Sequence, residues 1–142
     1  MYQKIIIVGN LGRDPEMRYM PDGTAVTSFS VATNRRWTDR NSGQPVDETT
    51  WFRINVWGRQ AEPANQYLSK GSKVLVEGRL RPDPQSGGPK LFTRQDGTVG
   101  ASYEITADSV QFLSGREESA GYRDSDESYD GEPAQEEDDI PF

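Results

Sequence analysis

The chain has 142 residues, enough for one domain with a true core and some surplus. It carries no cysteine and no histidine, which excludes disulfides, thiol nucleophiles, the usual Cys/His zinc sites and any histidine-based triad. The formal charge of −7 argues at first against a nucleic-acid partner, but it averages two unlike parts. Residues 1–114 hold 14 Lys/Arg against 12 Asp/Glu, a charge of +2, whereas residues 115–142 hold 2 against 11, a charge of −9.

The first predicted strand, Lys4–Leu11, is β-branched and apolar. Its run Ile5-Ile6-Ile7-Val8 is too short for a signal-peptide core or a membrane span, so a cytoplasmic protein is the default expectation. "MPDGTA" supplies Pro, Asp and Gly for a turn, and Ala25–Trp37 follows as a long strand in which Phe29, Val31 and Thr33 share parity with Trp37. "TDRNSGQPVDE" reads as a polar, turn-rich connection, long for a hairpin. Thr49–Trp57 is the third strand. Gln60–Ser69 is the helix candidate, with Pro63 in its first turn and Gly71 as its stop. Lys73–Arg81 is the fourth strand, with Val74, Val76 and Gly78 on one side. A turn at "QDG", residues 95–97, precedes the last strand, Ser102–Leu113.

This β-β-β-α-β-β order is that of an OB-fold: an all-β, five-stranded Greek-key barrel with one short helix between strands 3 and 4. No internal repeat is visible, so the expectation is one barrel over residues 1–114. Residues 115–142 are rich in Glu, Asp, Ser and Gly and nearly free of aliphatics. They cannot bury enough apolar surface to offset chain entropy, and the segment reads as a disordered acidic tail.

The third strand sorts its side chains by parity. Phe52, Ile54 and Val56 make a core stripe, which leaves Trp51, Arg53, Asn55 and Trp57 on the exterior. Six residues apart, the two tryptophans stand roughly 20 Å from each other, too far for mutual packing and suited to separate stacking platforms. Trp37 follows Arg35 and Arg36 directly, and Arg59 follows Trp57 by two. Aromatics interleaved with cations are what a sequence-tolerant single-strand groove needs: bases stack on the rings while Lys and Arg neutralise phosphates. The bland alternative is an oligomer interface made of the same rings. The lone short helix is poorly equipped to read duplex base edges.

Four stretches, "VGNLGRDPEMRYMPDG", "SVATNRRW", "TTWFRINVWGRQAEPANQYLSKGSKVLVEGRLR" and the terminal "DDIPF", closely resemble the bacterial single-stranded DNA-binding protein family. The likeness runs almost continuously over residues 2–81, blurs over 82–101 and resumes at 102–113. It implies an OB-fold that wraps single-stranded DNA without chemistry, without a cofactor or a metal, as a homotetramer, in replication, recombination and repair on the bacterial nucleoid. The family's stacking aromatics fall on Trp37, Trp51 and Trp57, the last commonly a phenylalanine in relatives. Its DNA-path cations fall on Lys4, Arg59 and Lys70. Arg35, Arg36 and Arg53 are added from spacing alone.

One departure stands out. Many relatives carry a further tryptophan just after the fourth strand, where this chain reads "RPDPQSGGPKLF". Phe92 is the candidate to take its place, and the alternative is a phenylalanine packed under its own loop. "GNLG" is no phosphate loop, since it lacks the lysine and the helix of such a cradle.

Apolar residues at the end of an acidic segment are odd in a mere solubiliser, and as a ligand they make sense. The Phe142 ring can enter a pocket, a basic residue can hold its carboxylate, Asp138 and Asp139 can steer, and Pro141 beside Ile140 lowers the ordering cost. The resemblance implies the same: this tip recruits replication, recombination and repair proteins. Two other classes compete. An RNA-binding OB module would use the same stacking surface. A carboxylate-only metal nuclease would need a recurring acidic motif, and the acids of residues 1–114 are scattered.

Overall fold

Valine, isoleucine and threonine recur at the alternate positions that a half-buried pleated surface favours, and most of the regular structure among the described residues is strand. A computed structural model describes residues 1–114. The elements are β1 (Ile5–Leu11), β2 (Glu16–Tyr19), β3 (Ala25–Thr38), β4 (Pro45–Trp57), a 3₁₀ turn (Gly58–Gln60), α1 (Ala61–Tyr67), β5 (Lys73–Leu80), β6 (Lys90–Thr93) and β7 (Val99–Phe112).

Five strands close on themselves. β1 pairs β5, β5 pairs β7, β7 pairs β4, β4 pairs β3, and β3 returns to β1 through Asn10↔Ala32 and Leu11↔Val31. Every pairing in the ring is antiparallel except β4 with β7. This is the OB-fold barrel that the element order implies, with α1 between its third and fourth ring strands. Ile7, Phe29, Val31, Ile54, Val74 and Ile105 fill the interior, and Ala64 of the helix and Leu68 just after it belong to the same core. Each fully buried aliphatic side chain contributes roughly 1.5–3 kcal/mol over leaving it exposed.

Several expectations need correction. Beside the five ring strands, two more are present among the described residues: β2 lies along β3, and β6 along β7, both outside the closed ring. Neither gives an alternating signal, because of β2 only Met17 is half-buried and β6 is largely exposed. β4 begins at Pro45 rather than Thr49, so β3 and β4 continue as a two-stranded ribbon, from Thr38↔Pro45 inward. The long connection shrinks to residues 39–44, closed by Asp39 N–H donating to Gln44 O at 2.9 Å. The ribbon escaped the sequence because residues 45–49 are mostly polar and cover no core. β7 likewise starts at Val99, where it pairs β6. The helix stops at Tyr67 because Leu68 turns extended, and Gly71 is not its cap. With φ of 89°, Gly71 instead makes the turn that brings its N–H onto Leu11 O at 2.9 Å. The acidic tail and its expected disorder lie outside the described residues.

Candidate nucleic-acid interface

The strand registers define one continuous outer wall. Cross-strand partners share a face, so Trp57, Val26 and Arg18 form one row across β4, β3 and β2, and Glu104, Arg53 and Ser30 form another across β7, β4 and β3. Trp51 stands on the same face of β4 as Arg53. Lys90 pairs Ser102 and Phe92 pairs Gly100, two and four residues from Glu104 on β7, so parity puts both on this wall as well. An open groove of about 600 Å³ crosses the wall, lined among others by Arg13, Trp51, Arg53, Lys90 and Phe92.

All three tryptophans are held out to solvent, Trp51 at 53 % exposure and Trp37 and Trp57 at 37 % each. Trp51 lays the six-membered part of its indole over Gly12, whose missing side chain makes the seat. Phe92 is 46 % exposed and rests over Gly100 in the same manner, with the Arg94 guanidinium 5.3 Å from its ring centroid. Asn55 keeps the parity of the wall but is 6 % exposed, with its Oδ1 accepting from Ser28 Oγ at 2.8 Å; it is a structural residue, not part of an exposed surface.

Trp37 belongs elsewhere. Its partner is Val46, and on β3 it has the parity of Phe29 and Val31, so the ribbon carries it on the inward-type face, beyond the end of the barrel. There Arg35 covers its ring at 4.7 Å, a cation–π contact worth about 0.5–1 kcal/mol at an exposed site. Arg36 points to the other face and pairs Asp47 at 2.6 Å. Arg59 is exposed in the 3₁₀ turn after Trp57. Exposed Lys70 sits in a loop whose backbone N–H donates to Asp14 Oδ1 at 2.8 Å, beside Arg13. Lys4 does not join the aromatic wall. It precedes β1, pairs Glu77 of β5 at 3.3 Å, and that contact holds its ammonium above the ordinary lysine value. The tip residues Asp138, Asp139, Ile140, Pro141 and Phe142 lie outside the described residues.

The single-strand binding protein family matches residues 2–113. The chain belongs to that family. It is 44 % identical over 126 residues to a single-stranded DNA-binding protein of Neisseria meningitidis serogroup A, covering 89 % of this chain and 68 % of that one. With a single-stranded DNA-binding protein of Wolinella succinogenes it shares 43 % identity over 136 residues, 94 % of this chain and 79 % of the relative. A solved structure of the Plasmodium falciparum SSB complex with ssDNA superposes with a TM-score of 0.65 at 28 % identity, covering 80 % of this chain and 97 % of the other.

Sequence reasoning missed several side chains of this wall. Arg18 sits on a strand that gave no periodic signal, and Lys90 and Arg94 fall in the stretch where the likeness blurred. Arg13 lies in a turn, one residue past the tryptophan's seat. Glu104 was one scattered acid until the parallel pairing of β4 with β7 set it opposite Arg53, 3.7 Å from the Nε. Lys90 Nζ forms an ion pair with its other oxygen at 2.9 Å. Among the described residues no three His, Cys, Asp or Glu side chains gather as a metal-holding group, and no helix is long and apolar enough to cross a membrane.

Proposed function

We propose that this protein coats single-stranded DNA without reading its sequence, and that residues 1–114 are the binding domain and residues 115–142 a partner-recruiting segment. The observation that carries the first part is the placement of Trp51, Trp57 and Phe92, all exposed, on one wall with Arg18, Arg53 and Lys90. Each ring offers a π-face to any base, worth roughly 1–3 kcal/mol per stacked base, and the cations between them meet the backbone. Trp37 with Arg35, and Arg36, Arg59, Lys70 and Lys4 extend the path around the barrel. That the P. falciparum relative of the same fold is complexed with ssDNA supports the reading.

The recruitment role rests on the sequence of the tip, and with it a place in replication, recombination and repair on the nucleoid of the cytoplasm. Binding needs no cofactor and involves no bond breaking. Assembly as a homotetramer fits the second exposed apolar surface: Ile6 and Val8 project outward from β1, at 57 % and 44 % exposure, on the β1–β5 wall away from the tryptophans. A second copy of that wall is the occupant, and I6E with V8E is expected to lower the mass measured by light scattering to that of a smaller assembly.

The deciding experiment is a titration of tryptophan emission with poly(dT) and with poly(rU) over a salt series. Strong quenching by the DNA, with a midpoint that moves with salt, is the expected outcome. Emission indifferent to poly(dT), or a preference for the RNA, overturns the reading.

A further inference from the structure

Glu104 is the single acid among the described residues that line the aromatic groove. Its side chain is 11 % exposed, whereas its partners Arg53 and Lys90 keep 51 % and 35 %. The carboxylate therefore sits on the inner side of the two cations, and their outer sides face the groove. The two cations come from different strands, Arg53 from the barrel strand β4 and Lys90 from the outlying strand β6. Neither strand needs the ion pairs for its place, because each has its own backbone ladder to β7.

We propose that Glu104 is a resident substitute for phosphate. In the empty groove it holds Arg53 and Lys90 aimed at the line along which a nucleic-acid backbone passes, and it yields them when a phosphate arrives. The inference rests on the DNA-binding reading above and names the residue that positions two of its cations. A carboxylate and a phosphate oxygen make the same kind of charge-assisted contact to guanidinium and ammonium, so the exchange needs only side-chain movement. Among the described residues Glu104 is the acid that pairs both Arg53 and Lys90, so without it these two cations would line one groove with neither held in place by its ion pair.

The exchange has a signature that packing alone would not produce. Each phosphate neutralised on a single strand releases about 0.7 of a counterion, which sets the slope of affinity against salt. When a phosphate takes the cations from Glu104, the freed carboxylate takes up a cation from solution. Net release is then smaller than the number of basic side chains implies.

The test uses the full chain, an oligo(dT) of about eight nucleotides, within the span that one OB barrel occupies, and KCl from 50 to 200 mM. Glu104→Gln is expected to bind several-fold more tightly at the low end and to show a steeper slope, by up to about 0.7, the value of one full strand phosphate. Its advantage over the parent then shrinks by up to about threefold across that range. Glu104→Asp, which keeps the charge, returns the parent slope. A slope for Glu104→Gln that is unchanged or shallower overturns the proposal. Should that variant fail to melt cooperatively, Lys90→Met serves instead: it is expected to remove clearly less than the roughly 0.7 that a free lysine contributes, and loss of the whole amount overturns the proposal. If the parent chain itself does not bind oligo(dT), the DNA-binding reading fails and this inference with it. Binding by the parent with a Glu104→Gln slope equal to its own removes only the inference.

Discussion

Gly12→Ala tests whether the seat beneath Trp51 matters to binding. Gly12 has no left-handed φ, so its backbone accepts alanine without strain. The new Cβ would stand 2.6 Å from Cζ3 and 2.7 Å from Cη2 of Trp51. Ordinary carbon contacts are about 3.5–4.0 Å, so the indole must move off by about 1 Å. The ring is half exposed and free to swing outward, and the barrel beneath it is not touched. Full removal of a stacking ring costs roughly 1–3 kcal/mol per base, and a displaced ring is expected to lose about 1 kcal/mol of that, about fivefold in affinity. Stability should change little, since lost packing is offset by the roughly 0.4–1 kcal/mol that Gly→Ala contributes through the unfolded chain. The assay is anisotropy of a labelled oligo(dT) with the parent, Gly12→Ala, Trp51→Ala and the double variant. In the Trp51→Ala background there is no ring to displace, so Gly12→Ala should then be neutral. An equal loss in both backgrounds, or none in the parent, refutes the role given to the seat.

Other predictions need less machinery. Trp57→Ala and Trp51→Ala should add, within about 0.5 kcal/mol, because the platforms stand too far apart to couple; a larger deviation in the double variant's affinity contradicts independent stacking. Truncation after Ser114 removes a charge of −9 and leaves a body of +2, so binding to oligo(dT) should tighten, most at low salt. Equal affinity across a salt series would show that the acidic segment does not compete for the groove. Asp96 is held below its ordinary value of 3.8 by the Thr98 hydroxyl and backbone N–H, and Asp22 and Asp39 are lowered by similar turn contacts. Their share of stability is fully present above the unfolded value and is lost as pH falls through the depressed folded values. Carboxyl chemical shifts followed from pH 5 to pH 2 should place all three midpoints under 3.8.

What was legible in the sequence follows what is buried. Phe52, Ile54 and Val56, or Val74, Val76 and Gly78, alternate because one face of each strand fills the barrel, and so β5 was found nearly in full and β4 over Thr49–Trp57. β2, β6 and the outer end of β4 cover no core, so nothing forces their residues to alternate and they passed as loops, whereas β3 was found through Trp37. The same limit governs the wall. Parity on a single strand separates Trp51 from Phe52 without help. That Glu104 lies opposite Arg53, or Phe92 opposite Gly100, depends on registers between strands about 50 and 8 residues apart in sequence, and no local pattern encodes them. Phe92 shows the difference well. Residue type and family likeness nominated it, but only the β6–β7 pairing put it on the tryptophan wall instead of under its own loop.

The three tryptophans have unequal support, and that bears on how a flexible strand is gripped. Between Phe52 and Asn55, β4 is paired on both edges, to β3 and to β7, so Trp51 and Trp57 flank the stiffest part of the barrel. Trp37 stands where β3 has β4 as its partner and no third strand beside it, and a two-stranded ribbon without a core is marginally stable. In the proposed complex, rings on the barrel are ordered before DNA arrives and lose little freedom on binding. The ribbon opens more readily and, if Trp37 stacks on a base as proposed, must be ordered on binding. Arg35 over the Trp37 ring and Arg36 paired with Asp47 limit that cost by fixing the ribbon's side chains in advance. One pair of strands thus carries a rigid platform at its base and a pliable one at its end, which suits a polymer whose successive bases have no fixed spacing.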